Sequence, residues 1–246
     1  KEVFEQKGAT VHMETKVENI DYDKKIVYAK DKDGKEIQES YDKLVLATGS
    51  QPILPDIEGM DLENVQKVKI FQDAQSVIDK INHEDIKKVV VVGAGYIGTE
   101  LAEAFKRLGK ESTLIEHGNT VLRGYYDDKF CKKMEENLKN HGVNLVFNEE
   151  VVKLEGTDGK VNKVITDKAE YDCDMVVMSI GFKPNSSLAK DHLKLNDHKA
   201  IITDKHQQTS DENVFAVGDS TVIFNNATGK YEYVALATNA VRSGIV

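Results

Sequence analysis

The apolar positions of this chain fall into two alternating patterns. Lys88–Val92 is a continuous β-branched run, the mark of a strand covered on both faces, and 112–115 and 175–180 are further apolar runs. Between and before them apolar residues recur at helical spacing. That spacing predicts helices over 74–81, over 97–108 with Leu101, Ala104, Phe105 and Leu108 on one face, and over 127–141, closed by Gly142. Strands alternating with helices point to an α/β class. Ahead of this stretch, 10–16, 17–21 and 25–30 are expected to form a meander, with Asp33-Gly34 as a hairpin turn and 36–41 returning along it. A short apolar strand over 43–47 follows. Further strands are predicted over 143–147, 150–155, 161–166, 200–203 and 214–217, then a hairpin around 225–229 and a last helix over 237–244.

Two prolines, Pro52 and Pro55, lie in 51–61, which is therefore expected to link two domains. The chain opens in what reads as the last turns of a helix ending at Gly8, without an initiator Met. It stops at Val246 within or just after another helix, so a fragment of a longer protein is expected.

The net charge of -9 argues against a nucleic-acid partner, because a phosphate backbone would repel the chain. No apolar run reaches the length of a membrane span and no leader pattern opens the chain, so the cytoplasm is the default location and no membrane partner is expected. The two cysteines, Cys131 and Cys173, form no Cys-x-x-Cys and have no His cluster nearby. That excludes a disulfide scaffold and argues against a structural zinc site, and inert, half-buried thiols are expected.

The candidate chemistry lies where the first buried strand ends. Gly93-Ala94-Gly95-Tyr96-Ile97-Gly98 follows that strand directly, opens a helix, and is followed by a second strand ending in Glu116. Gly93 permits a tight turn, Gly95 lets the backbone approach a pyrophosphate, and Gly98 lets helix and strand pack closely. Free N–H groups at the helix start favour phosphate charge. Glu116 is placed to accept from ribose hydroxyls and to repel a 2′-phosphate, which favours NADH over NADPH. Arg123, in the following loop, could pair with such a phosphate; read as a solvated surface charge, it leaves NADH as the expected ligand.

Three more segments do not belong to that unit. Leu46-Ala47-Thr48-Gly49-Ser50 ends a strand before it. Asn213-Val214-Phe215-Ala216-Val217-Gly218-Asp219 comes after it, and Ala235-Leu236-Ala237-Thr238-Asn239-Ala240 leads into the last helix. All are small-residue strand ends or helix starts that let a ligand near the backbone. Asp219 could accept from a polyol chain, and a helix starting near Ala235 could aim its positive end at a ring that becomes anionic on reduction. Singly, each is equally a tight turn, a solvated acid or a packing site. Their order around a dinucleotide unit suggests a second, split dinucleotide site.

With these motifs the chain resembles the flavin-dependent pyridine nucleotide–disulfide oxidoreductases, and among them the NADH oxidase and NADH peroxidase group. The resemblance runs essentially the full length. It is carried by Ala47-Thr48-Gly49, the stretch 92–100, Gly124-Tyr125-Tyr126-Asp127, Gly181-Phe182-Lys183-Pro184-Asn185, Val217-Gly218-Asp219 and the closing Ala-Leu-Ala-Thr-Asn-Ala. It implies a Rossmann-like NAD-binding domain over 66–183, inserted between two parts of a Rossmann-like FAD-binding domain at 1–65 and 184–246. On that pattern Ala47, Thr48, Gly49 and Ser50 line the FAD adenosine side. Gly218 and Asp219 hold the ribitol, and Ala235, Leu236 and Ala237 lie by the flavin ring. Ile97, Glu116, Tyr125 and Gly181 would contact NADH, and Tyr96 would stack over the flavin.

Family members also carry an upstream FAD fingerprint, a redox-active cysteine and a C-terminal dimerisation domain. None of these is found in the sequence, and Cys131 and Cys173 do not match the cysteine motif. The resemblance thus implies a parent that is a homodimeric enzyme passing hydride from NADH to FAD and on to O2, peroxide or a small disulfide, with this stretch catalytically incomplete. Peroxidase, coenzyme A–disulfide reductase, ferredoxin or rubredoxin reductase, and a non-catalytic NADH-binding module remain as alternatives at this point.

Overall fold

A computed structural model describes residues 1–245; the terminal Val246 lies outside the described residues. The chain divides into two compact units, Lys1–Gln51 with Lys183–Val246, and, inserted between these, Pro52–Phe182.

The inserted unit is built on a five-stranded parallel sheet. Its strands run in the spatial order Val65–Lys67, Met175–Met178, Lys88–Val92, Glu111–Glu116, Asn144–Phe147. With both faces covered, the two-residue period of a strand explains why Val89 to Val92 and Met175–Met178 are apolar throughout. Val89, Val91, Leu114, Met175 and Val177 face a helical layer through Val77, Ile81, Ala102, Phe105 and Leu138. Val90, Val92, Ile115, Val176 and Met178 face the other way, onto Val151, Leu154, Val161 and Val164 of an antiparallel three-stranded sheet. The helices are Phe71–Ile81, Tyr96–Arg107 and Asp128–Asn140. Helix Tyr96–Arg107 crosses from Lys88–Val92 to its neighbour Glu111–Glu116 on one side, whereas Met175–Met178 lies on the other. The strand order therefore reverses at the carboxyl end of Lys88–Val92, where open α/β sheets form their ligand crevice.

The expected 51–61 linker is only in part a bare connection. Ser50–Pro52 is a strand, and Ile57 and Met60 pack against the buried cluster on the sheet's antiparallel side. Proline content marked irregular backbone there but carried no sign of this packing.

The other unit holds an antiparallel meander, Thr15–Asp21, Ile26–Asp31 and Glu36–Ser40. One strand occupies 15–21 where two were expected over 10–21, with a register shift between Val17 and Asn19. A parallel pair, Leu44–Leu46 with Val214–Ala216, buries Leu46, Val214 and Ala216 with Ile20, Leu193 and Ile201. The predicted strand at 200–203 reduces to isolated bridges at Ile201. The hairpin Ile223–Asn225 with Lys230–Glu232 and the helix Ala237–Ser243 follow as expected. Among the described residues, no helix is long and apolar enough to cross a membrane, and no group of His, Cys, Asp or Glu could hold a metal ion.

Candidate functional site

The three loop glycines are required for different reasons. Gly93 has φ +99°, and a Cβ there would lie 2.5 Å from the Ser179 carbonyl oxygen, at the neighbouring strand end. At Gly98 a Cβ would fall 1.8 Å from the Gly93 carbonyl oxygen, so the helix can reach the loop only with no side chain. Gly95, by contrast, has nothing within 4 Å of its Cβ position. The space above Gly95 fits a group that needs close backbone approach, as a pyrophosphate does. Ser179 Oγ, 2.9 Å from both the Val92 and the Gly93 carbonyl oxygens, donates across this turn and secures it to the adjacent strand end.

Glu116 stands at its strand's tip, with its side chain 11% exposed. Its Oε2 accepts from the Ala94 N–H at 2.8 Å and its Oε1 from the Gly118 N–H at 2.8 Å. His117 Nδ1 lies 2.9 Å from Oε1. The acid therefore ties the second strand to the glycine loop.

Beside the loop three tyrosines gather. The rings of Tyr96 and Tyr125 are 4.5 Å apart and tilted, and Tyr126 meets Tyr96 edge-on at 6.1 Å. The Tyr96 hydroxyl donates to that of Tyr126 at 3.3 Å. This hydrogen bond, with some burial and the neighbouring phenols, pushes the Tyr96 pKa up to about 12 and keeps it a neutral ring at ordinary pH. Tyr125 is 56% exposed. Gly181, at φ +113°, carries the chain out of the sheet, and its carbonyl accepts from the Ile53 N–H at 2.9 Å. Ile97 is part-buried in the first turn of helix Tyr96–Arg107.

In the other unit Thr48 and Gly49 are stitched to Asn185. The Thr48 hydroxyl donates to the Asn185 carbonyl at 2.5 Å, while Asn185 Nδ2 donates to the Thr48 carbonyl and its N–H to the Gly49 carbonyl. Ser50 Oγ donates to Asp219 Oδ2 at 3.1 Å, which brings the two distant segments of this unit together. Gly218 has φ +73° and donates its N–H to Ser243 Oγ. The Tyr233 hydroxyl is buried with no hydrogen bond of good geometry among the described residues; burial raises its pKa, and the nearby Ser50 hydroxyl acts against that rise. An orphaned buried hydroxyl in this unit fits a site that a polar ligand completes. Ala47 is exposed, and Ala235 and Leu236 precede the helix, which starts at Ala237.

Tyr126, His117, Gly118, Ser179 and Asn185 were not singled out by sequence reasoning. Tyr126 and Asn185 stand within quoted motifs that gave them no role of their own, and Gly118 stands two residues beyond Glu116; His117 and Ser179 carry no local signal.

The sequence profile of the pyridine nucleotide-disulphide oxidoreductases matches residues 2–244. An NADH oxidase of Lactococcus lactis subsp. cremoris is 50% identical over 246 residues, covering 100% of this chain and 55% of that protein. The structure of a water-forming NADH oxidase from Lactobacillus brevis bound to NADH superimposes with a TM-score of 0.95 at 39% identity, over 99% of this chain and 54% of that one. A FAD-dependent pyridine nucleotide-disulphide oxidoreductase from Desulfovibrio vulgaris gives 0.86 at 37% identity, over 94% of this chain and 59% of its own. The chain spans about half the length of the curated relatives it matches. A match over nearly every residue, on a fold whose glycine loop lies at the sheet's switch point, settles the family: this chain belongs to the pyridine nucleotide-disulphide oxidoreductases.

Proposed function

We propose that the chain is the nucleotide-handling part of an FAD-dependent NADH oxidase, with O2 as the oxidant and the parent protein a homodimer. The observation that carries this reading is the open space over Gly95, in a turn whose other two glycines are closed by backbone. Named relatives at half identity support the activity.

The NADH-binding domain, expected over 66–183, is taken to be the unit Pro52–Phe182, and the remaining unit contributes to the FAD bed. Gly93, Gly95 and Gly98 allow the pyrophosphate to approach the backbone, and Glu116 accepts from the adenosine ribose. Ile97, Tyr125 and Gly181 border the nicotinamide half, and the neutral Tyr96 ring covers the flavin and excludes water. Ala47, Thr48, Gly49 and Ser50 receive the FAD adenosine side, Gly218 and Asp219 the ribitol, and Ala235, Leu236 and Ala237 the ring edge. FAD, when bound, supplies the two-electron acceptor for the hydride of NADH. The residues of this chain orient and shield the two cofactors rather than react themselves.

Calorimetric titration of the purified chain with NADH tests the reading. One saturable site per chain is expected; no binding at millimolar NADH would overturn it.

A further inference from the structure

We infer that the strand-tip site accepts NADPH as well as NADH, and that Arg123 is the residue that sets its selectivity. This rests on the glycine loop binding a dinucleotide, as proposed above. A carboxylate at this position selects NADH by accepting from the 2′-hydroxyl and by repelling a 2′-phosphate. The first effect weakens when the oxygens already accept hydrogen bonds, and a neighbouring cation offsets the second. Here each Glu116 oxygen accepts a backbone N–H at 2.8 Å, and His117 Nδ1 adds a third contact. The acid is turned largely into the protein, where it serves as a clasp and is left a weakened acceptor for the ribose.

Arg123 is placed beside it. The Cβ position of Gly118 lies 3.0 Å from Glu116 Oε1, 3.3 Å from Arg123 Nε and 3.4 Å from Arg123 Cζ, so carboxylate and guanidinium stand over one glycine. The loop that carries the arginine is anchored. Val121 and Leu122 are buried, and the Leu122 N–H donates to the Ala94 carbonyl at 2.8 Å. Ala94 therefore holds the acid through its N–H and the base through its carbonyl. Arg123 itself is exposed, and among the described residues its guanidinium enters no ion pair or hydrogen bond. His117 is 70% exposed on the same tip. A fork of unengaged donors, held by backbone beside the ribose position and next to a committed carboxylate, is a receptor for a phosphate dianion.

Dissociation constants for NADH and NADPH, measured by calorimetry on the unmodified chain and on Arg123→Ala and Arg123→Lys, test this. The unmodified chain is expected to bind both nucleotides. Arg123→Ala is expected to raise the NADPH-to-NADH ratio of dissociation constants by about tenfold, and Arg123→Lys to raise it less, because the charge remains while the fork is lost. NADPH binding is also expected to weaken more steeply with added salt than NADH binding. An unchanged ratio in Arg123→Ala, or binding of NADH without NADPH, would overturn this inference and leave the NADH site standing. Failure to bind either nucleotide would overturn both.

Discussion

At the scale of single residues, Gly95 and Gly98 belong to one motif and do opposite work. A methyl at position 98 would have to displace the Gly93 carbonyl, whereas one at position 95 enters open space. Gly98→Ala is therefore expected to lose about 1–3 kcal/mol of stability in chemical denaturation, the range of an overpacked site. Gly95→Ala is expected to keep the parent Tm yet bind NADH at least about tenfold more weakly, a loss near 1.4 kcal/mol. Equal losses of stability in the two variants would contradict this division. The motif identified both glycines from spacing alone. It did not show that Glu116 is fastened to Ala94, because that bond joins residues 22 apart in the chain.

At the scale of elements, the buried strands and the helices behind them were legible to within a few residues. Lys88–Val92 matches its prediction, and the predicted helix at 97–108 forms as Tyr96–Arg107. Helix Phe71–Ile81 starts three residues before its apolar spacing does. The carboxylate of Asp73 reaches back to accept from the backbone N–H groups of Lys69 and Ile70, so a capping acid rather than apolar periodicity adds the first turn. Asp73→Ala is expected to cost about 1 kcal/mol in denaturation and to reduce helical circular dichroism slightly. A variant as stable as the parent would show that the turn is held by packing. Strands Val65–Lys67 and Glu170–Asp172 went unforeseen, because three residues cannot express a period. Each is fixed by its partner, Met175–Met178 and Lys160–Thr166 respectively.

At the scale of the whole molecule, the two cysteines test how tightly the inserted unit is closed. Cys131 and Cys173 are 1% and 2% exposed, more deeply buried than the half-buried thiols expected from the sequence. Burial, with the charges of Asp174 and Asp172, pushes the Cys173 thiol from 9.0 up to about 12. The folded state thus holds a proton that the unfolded chain releases above its own lower pKa. This contribution to stability is complete below about pH 9 and is lost as pH rises toward about 12. Neither thiol is expected to react with an aromatic disulfide reagent at neutral pH until denaturant is added, when both should; titration of two thiols in the folded chain would refute it.

The sequence by itself determined the α/β class, the glycine loop, the acid at the strand tip and the family, because each is written in local spacing: a period of two or 3.6, or a glycine where a side chain cannot fit. The split of one unit around another was implied by the family resemblance, and the pairing of Leu44–Leu46 with Val214–Ala216, residues about 170 apart in the chain, is what closes it physically. The tertiary structure alone decided that Tyr126 braces Tyr96, that Asn185 and Asp219 close on Thr48 to Ser50, and that Glu116 turns inward while Arg123 turns out. Such contacts depend on where distant backbones come to rest, and no local pattern encodes the distance between them.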